Sequence, residues 1–222
     1  MFGKNVYTLE EGNPDNVTEL GERGARLCAL NAMGITVPRG FIVTAEAAGN
    51  CRFTNSVQRD IINALNDLKF LNPADKPFSV CVRCGGYGKR LARLNLDGND
   101  GEKIINEVCL VAERGHTSVI VQTTVFGNLD NNSGAGIVFI RHPKTSEKMF
   151  MGEFLDKSFG EEFMVSADRL PFPVQNLEKD ARFSEAYSKL VKICGQAEKF
   201  EDACAVEFAV ESGKLFILNV GP

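Results

Sequence analysis

No stretch of the 222-residue chain approaches the roughly 18 consecutive apolar residues that a membrane-crossing helix needs. Its opening residues, Met1-Phe2-Gly3-Lys4-Asn5-Val6, hold no apolar targeting core. Both absences predict a soluble, cytoplasmic protein with no membrane partner. Clustered Lys and Arg are also missing. A net charge of -4 and a pI near 5.4 argue against a sequence-independent nucleic-acid binder, which needs a basic face to displace counterions. The seven cysteines, at positions 28, 51, 81, 84, 109, 194 and 204, include only one short spacing, Cys81-Val82-Arg83-Cys84. With no second such pair, and with His116 and His142 far away in sequence, zinc or redox chemistry is not expected, and the thiols read as reduced core residues. Internal repeats, low-complexity tracts and Pro/Gly/Ser-rich linkers are absent as well.

What is present is globular material, 44% hydrophobic, enough to bury a sizeable core in one domain or two closely packed lobes. Asn16 followed by Glu19 reads as a helix start, with Leu20, Gly24, Leu27 and Leu30 along one face and Gly34 as the stop. Val37-Pro38-Arg39-Gly40 turns the chain into an apolar strand, Phe41-Ile42-Val43, and Thr44 can cap a short helix through Ala48. Helical spacing recurs over 56–68 and from Glu102 to Glu113, and one long helix is expected from Leu177 to Lys199. Phe78, Val80 and Val82 alternate with Ser79, Cys81 and Arg83, so Arg83 leaves the apolar face of a strand. Further strands are expected at Val119–Phe126, Ile137–Arg141 and Met149–Phe154. A final hairpin, Ala205–Glu211 and Lys214–Asn219, turns at Ser212-Gly213. The pattern predicts an α+β fold with an N-terminal α/β lobe over 1–116, a strand-rich lobe over 117–222, and a cleft between them.

Several segments carry a family signature in order: Tyr7-Thr8-Leu9-Glu10-Glu11-Gly12-Asn13, Leu20-Gly21-Glu22-Arg23-Gly24-Ala25, Val37 to Thr44, Val82-Arg83-Cys84-Gly85, and Val125-Phe126-Gly127-Asn128 through Ser133-Gly134-Ala135-Gly136. Arg141-His142-Pro143, Gly152-Glu153-Phe154, Gly160-Glu161 and Val206-Glu207-Phe208 complete the series. Each motif is weak alone. Together they resemble the N-terminal nucleotide-binding domain of pyruvate phosphate dikinase, the ATP-grasp-like domain shared with phosphoenolpyruvate synthase. The resemblance implies a two-lobed ATP-grasp-like fold, here shortened. In that family the domain binds Mg-ATP and phosphorylates a histidine on a separate swivelling domain. Neither that domain nor the pyruvate-binding barrel is expected within these residues, and neither His116 nor His142 sits in a phosphohistidine-like segment.

The resemblance also implies a site: Arg23, Arg83, Glu207 and Asn219 toward the nucleotide, with Glu207 also toward the metal. Arg83 matches a phosphate-contacting arginine, whose planar fork suits a phosphate; a salt bridge is its structural alternative. Arg23 stands where the family uses lysine. Ala205, on the same strand face as Glu207, replaces an aspartate, so the double carboxylate clamp on Mg²⁺ is reduced to one member. Asn219 replaces a glutamine, and Gly221 an arginine. A two-residue turn would set Asn219 opposite Val206, on the other face from Glu207. The glycine-rich loop Cys84-Gly85-Gly86-Tyr87-Gly88-Lys89-Arg90 is shorter than its family counterpart, although its backbone N–H groups, with Lys89 and Arg90, can still meet an anion. A helical insertion after it is also expected to be absent. ATP and Mg²⁺ are the implied cofactors, their binding weakened or lost. Three functions follow: a catalytically impaired binding or structural subunit of a larger intracellular assembly, with a protein partner; an active ATP-dependent phosphotransferase acting on a separate carrier, with Glu153 or Glu211 replacing the missing acid; or an adenine-nucleotide sensor.

Overall fold

Phe41, Val43, Val80, Val82, Val119 and Val121 fall on one face of an antiparallel sheet and pack under three helices through Ala47, Ala48, Val57, Ile61, Leu65, Ile104 and Val108. This core belongs to the first of two units in a computed structural model that describes residues 4–49, 53–87, 92–142, 144–158 and 170–222. The first unit comprises Met1–Gly34 and Pro38–Thr124, and the second Ile35–Val37 and Val125–Pro222. The division falls after 124, beyond the expected boundary at 116/117, because the strand at 119–123 is hydrogen-bonded between two strands of the first sheet.

In the first unit the elements are β1 (Val6–Thr8), α1 (Val17–Ala32), β2 (Gly40–Val43), α2 (Ala45–Gly49), α3 (Asn55–Phe70), β3 (Ser79–Cys84), β4 (Ala92–Asp97), α4 (Gly101–Gly115) and β5 (Val119–Thr123). The sheet runs β1-β2-β5-β3-β4 with every pairing antiparallel. Caps start the helices where the sequence places them: Asn16 accepts the Glu19 N–H, and Thr44 Oγ1 accepts the Ala47 N–H at 3.3 Å. On the sheet's other face Ser79, Cys81 and Thr124 form a polar row, with Ser79 Oγ donating to Asn95 Oδ1 at 2.9 Å. Strand β4 has no counterpart among the sequence expectations.

The second unit holds β6 (Gly134–Arg141), β7 (Lys148–Asp156), β8 (Phe172–Pro173), a 3₁₀ turn (Val174–Lys179), α5 (Ser184–Ala197), β9 (Ala205–Glu211) and β10 (Lys214–Gly221), in sheet order β10-β9-β6-β7-β8. The single helix expected over Leu177–Lys199 is divided. Asp180 takes the Arg182 N–H and guanidinium, and its carbonyl accepts the Ser184 N–H as α5 begins. Val206, Phe208 and Val210 are buried on one face of β9, beneath α5 and a cluster of Phe rings.

The β9–β10 turn has two residues with positive φ, Ser212 (48°) and Gly213 (81°), as a tight hairpin of this kind requires. Asp130 ties it to the loop before β6, accepting from Ser133 Oγ at 2.6 Å, Ser212 Oγ at 2.6 Å and the Asn132 N–H at 2.8 Å. These bonds, that of Ser133 first, hold the Asp130 carboxyl below its ordinary range. Their stabilisation is present above that range and is lost as pH falls through the lowered value.

Candidate functional site

Helix α1 is broken at Gly21, whose φ of 72° is open to glycine at little cost. The break is packed without spare room. A Cβ at Gly21 would lie 2.5 Å from Ser118 Oγ and 2.7 Å from the Gly85 carbonyl, and one at Gly85 only 1.9 Å from Ser118 Oγ. Backbone bonds fasten the same crossing: the Gly85 N–H donates to Ser118 O at 2.9 Å, and the Arg23 N–H donates to Gly85 O at 2.7 Å. Ser118 Oγ donates to Leu20 O at 2.5 Å, which satisfies a carbonyl that the broken helix leaves open. Small residues and a buried hydroxyl thus bring the second turn of α1 onto the end of β3.

Two arginines are gathered there. Arg23 Nη1 donates to the Cys84 carbonyl at 3.3 Å, and its guanidinium lies 5.5 Å from the centre of the Tyr87 ring. Arg83, half-buried on β3 opposite Ile120, points away from the core face; among the described residues its guanidinium makes no hydrogen bond or ion pair. A groove of about 430 Å³ opens beside this crossing, lined by Gly21, Glu22, Cys84, Gly86, Gly115 and Thr117. Glu22, absent from the sequence-derived site, places Oε2 3.2 Å from the Tyr87 backbone N–H. The available sequence signal was its place between Gly21 and Arg23 in an ordered motif.

In the second unit Glu207 and Asn219 are brought together, contrary to the expectation that they lie on opposite faces. Pairing follows the two-residue turn as far as Ile217↔Phe208, then slips, so that Asn219 faces Glu207, Val220 faces Val206 and Gly221 faces Ala205. The cause is a bulge at Leu218: the Ile217 N–H turns out of the hairpin and donates to Thr36 O at 2.9 Å. Asn219 Nδ2 then donates to Glu207 Oε1 at 3.4 Å, a long bond, while its buried Oδ1 meets no partner. One rung therefore carries a carboxylate and an amide. The next rung on the same face, Ala205 and Gly221, carries neither charge nor side-chain donor.

The two acids considered as substitutes for the missing aspartate differ. Glu211 is 9% exposed and accepts the Phe126 N–H at 3.3 Å, so it holds the chain entering this unit. Glu153 is exposed and pairs with Ile137, which pairs with Glu207. It lies in the same row two strands away, roughly 10 Å at the backbone. Among the described residues no cluster of three His, Cys, Asp or Glu is arranged to hold a metal. Cys81 faces Thr124 while Cys84 packs in the helix-side core, so the short cysteine spacing places the two thiols on opposite faces. Burial pushes the Cys28 thiol up to about 11 and that of Cys194 to about 12, which leaves both poorly nucleophilic. His116 ends α4 in a left-handed conformation, and His142 Nδ1 accepts the Lys144 and Thr145 N–H groups in a turn. Cys51, Lys89, Arg90, Pro143 and Gly160-Glu161 lie outside the described residues.

No family model matches the chain. It is 41% identical over 338 aligned positions to pyruvate, phosphate dikinase of Clostridium symbiosum, with 98% of the chain and 38% of that protein covered. The aligned span exceeds the chain's 222 residues, so the relative carries internal residues without a counterpart here. The corresponding protein of Rhizobium meliloti is 39% identical over 117 residues, covering 46% of the chain and 13% of that relative. Among solved structures, D-alanyl-alanine synthetase A of Vibrio cholerae matches with a TM-score of 0.52 at 12% identity, over 94% of this chain and 56% of that one. This likeness speaks to fold alone. The chain spans little more than a third of the length of the first of these relatives. Over nearly its whole length it is a relative of the N-terminal part of pyruvate, phosphate dikinase, built on an ATP-grasp fold.

Proposed function

We propose that this chain is a nucleotide-binding domain that holds adenine nucleotide without efficient phosphoryl transfer and acts as a binding subunit of a larger assembly. The register of the last hairpin carries this reading. The rung with Glu207 and Asn219 keeps a carboxylate and an amide for metal or nucleotide, while the rung with Ala205 and Gly221 is bare. The two positions where the resembled site has aspartate and arginine are thus direct cross-strand partners, and a metal ligand and a phosphate-facing cation are missing together. Phosphoryl transfer depends on charge placed around the moving group, so such a loss weakens turnover more than it weakens binding. Arg23 and Arg83 support the binding half of the reading, since each adjoins in sequence a residue, Glu22 or Cys84, that lines a groove of ligand size, and Arg23 is bonded to the Cys84 carbonyl.

A protein partner is supported by a separate observation. Phe70 and Leu71, adjacent at the end of α3, are 88% and 50% exposed, an apolar pair that neighbouring protein would cover.

The test is Ala205→Asp, which returns a second carboxylate to the Glu207 face. The wild type is expected to bind ATP with little dependence on Mg²⁺ and to release γ-phosphate at background rate. Ala205→Asp is expected to make binding tighter in Mg²⁺ by about tenfold, equivalent to about 1.4 kcal/mol. Wild-type γ-phosphate release that disappears in Glu207→Ala would overturn the reading in favour of an active phosphotransferase serving a separate carrier.

A further inference from the structure

Glu22 lies on α1 directly after the break at Gly21, and its exposed side chain lines the 430 Å³ groove. Its Oε2 accepts the Tyr87 N–H at 3.2 Å. Tyr87 belongs to the glycine-rich stretch after β3, whose backbone donors are the groups with which such a stretch meets an anion. A carboxylate oxygen on that donor occupies the place and supplies the charge that an incoming phosphate oxygen would bring. The flanking contacts keep the two groups together. Arg23, the next residue, is bonded to Cys84 O and Gly85 O and lies over the Tyr87 ring, so residues 22 and 87 approach each other across a fixed crossing.

We infer that Glu22 is a built-in anion that competes with the polyphosphate of the nucleotide for the Tyr87 amide, so that the groove is self-occupied until ligand displaces the carboxylate. This inference rests on the nucleotide-binding reading above and adds a regulatory contact to it. Displacement breaks one hydrogen bond and leaves a carboxylate beside the bound phosphates. Both effects set the affinity of the wild type below what its arginines would otherwise give. The same contact favours ligands that bring fewer negative charges to the groove over those that bring more.

The experiment compares wild type, Glu22→Gln, Glu22→Ala and the control Asp15→Asn by calorimetric titration with ATP and with inorganic tripolyphosphate, alongside Tyr87 amide hydrogen exchange without ligand. Gln keeps an acceptor but loses the charge, whereas Ala loses both. Affinity for both ligands is expected to rise several-fold in Glu22→Gln and about tenfold or more in Glu22→Ala, with a change under twofold in Asp15→Asn. Tyr87 exchange is expected to quicken in the order wild type, Gln, Ala. Unchanged or weaker binding by Glu22→Ala, with wild-type melting temperature, overturns the inference and leaves nucleotide binding standing. Quickened Tyr87 exchange with no binding of either ligand by any variant overturns the nucleotide reading, and this inference with it. An equal gain in Asp15→Asn reduces the effect to net charge and also overturns it.

Discussion

Phe154→Ala is expected to destabilise the second unit by about 3–5 kcal/mol. The ring is fully buried on β7, with its centroid 4.9 Å from Phe183, 5.6 Å from Phe172 and 5.9 Å from Phe208. Edge-on contacts to the first two and a near-parallel one to the third add about 0.5–1.5 kcal/mol each beyond burial. The site cannot close around a void, because its far wall is the backbone of Gly134, where a Cβ would sit 2.1 Å from the Phe154 ring. With roughly 2–4 °C lost per kcal/mol at this size, the melting temperature should fall by roughly 10 °C. Chemical denaturation checks the value, and a loss below about 1 kcal/mol would mean that the aromatic cluster does not hold the sheet together. Phe154→Leu, which preserves most of the volume, is expected to cost much less.

Gly85→Ala is expected to damage stability and nucleotide binding together, by about 3 kcal/mol in the first. Its Cβ would fall 1.9 Å from Ser118 Oγ and 2.9 Å from Ser118 O. Neither atom can yield cheaply, since the hydroxyl serves Leu20 O and the carbonyl accepts the Gly85 N–H. Opening the crossing would also break the Arg23 N–H bond to Gly85 O and displace the guanidinium from Cys84 O. ATP affinity should therefore fall in the variant at temperatures where it remains folded. Adding Ser118→Ala should restore part of the stability, because it removes the nearest clashing atom while costing one hydrogen bond. Wild-type denaturation and wild-type ATP affinity in Gly85→Ala would contradict the packing described for this crossing.

The elements that the sequence announces are those decided within a few residues. Asn16 and Thr44 cap helices through donors three positions away, and the alternation of Val80 and Val82 with Cys81 and Arg83 needs only the period of a strand. The breaks are decided at longer range. Gly21 fits a helical pattern, but its conformation is imposed by Ser118 and Gly85 from distant parts of the chain. Leu218 bulges because Thr36 takes the Ile217 N–H, and no count outward from the Ser212-Gly213 turn can foresee that partner. The candidate site divides in the same way. Arg23, Arg83 and Glu207 are candidates that ordered motifs can propose, whereas the meeting of Glu207 with Asn219 and of Glu22 with the Tyr87 amide depends on register and crossing. The interruption at Asp180 lies between these cases: its bonds to Arg182 and Ser184 are local, yet the apolar spacing on either side masks them.

The most direct test of the central claim is the melting temperature of the purified protein against ATP concentration, with and without Mg²⁺, in the wild type and Arg83→Ala. A ligand at about 100 times its dissociation constant should stabilise by roughly 2.7 kcal/mol. The account predicts a rise of that order at millimolar ATP, changed little by Mg²⁺ and absent in Arg83→Ala. No rise at millimolar ATP under either condition would contradict it.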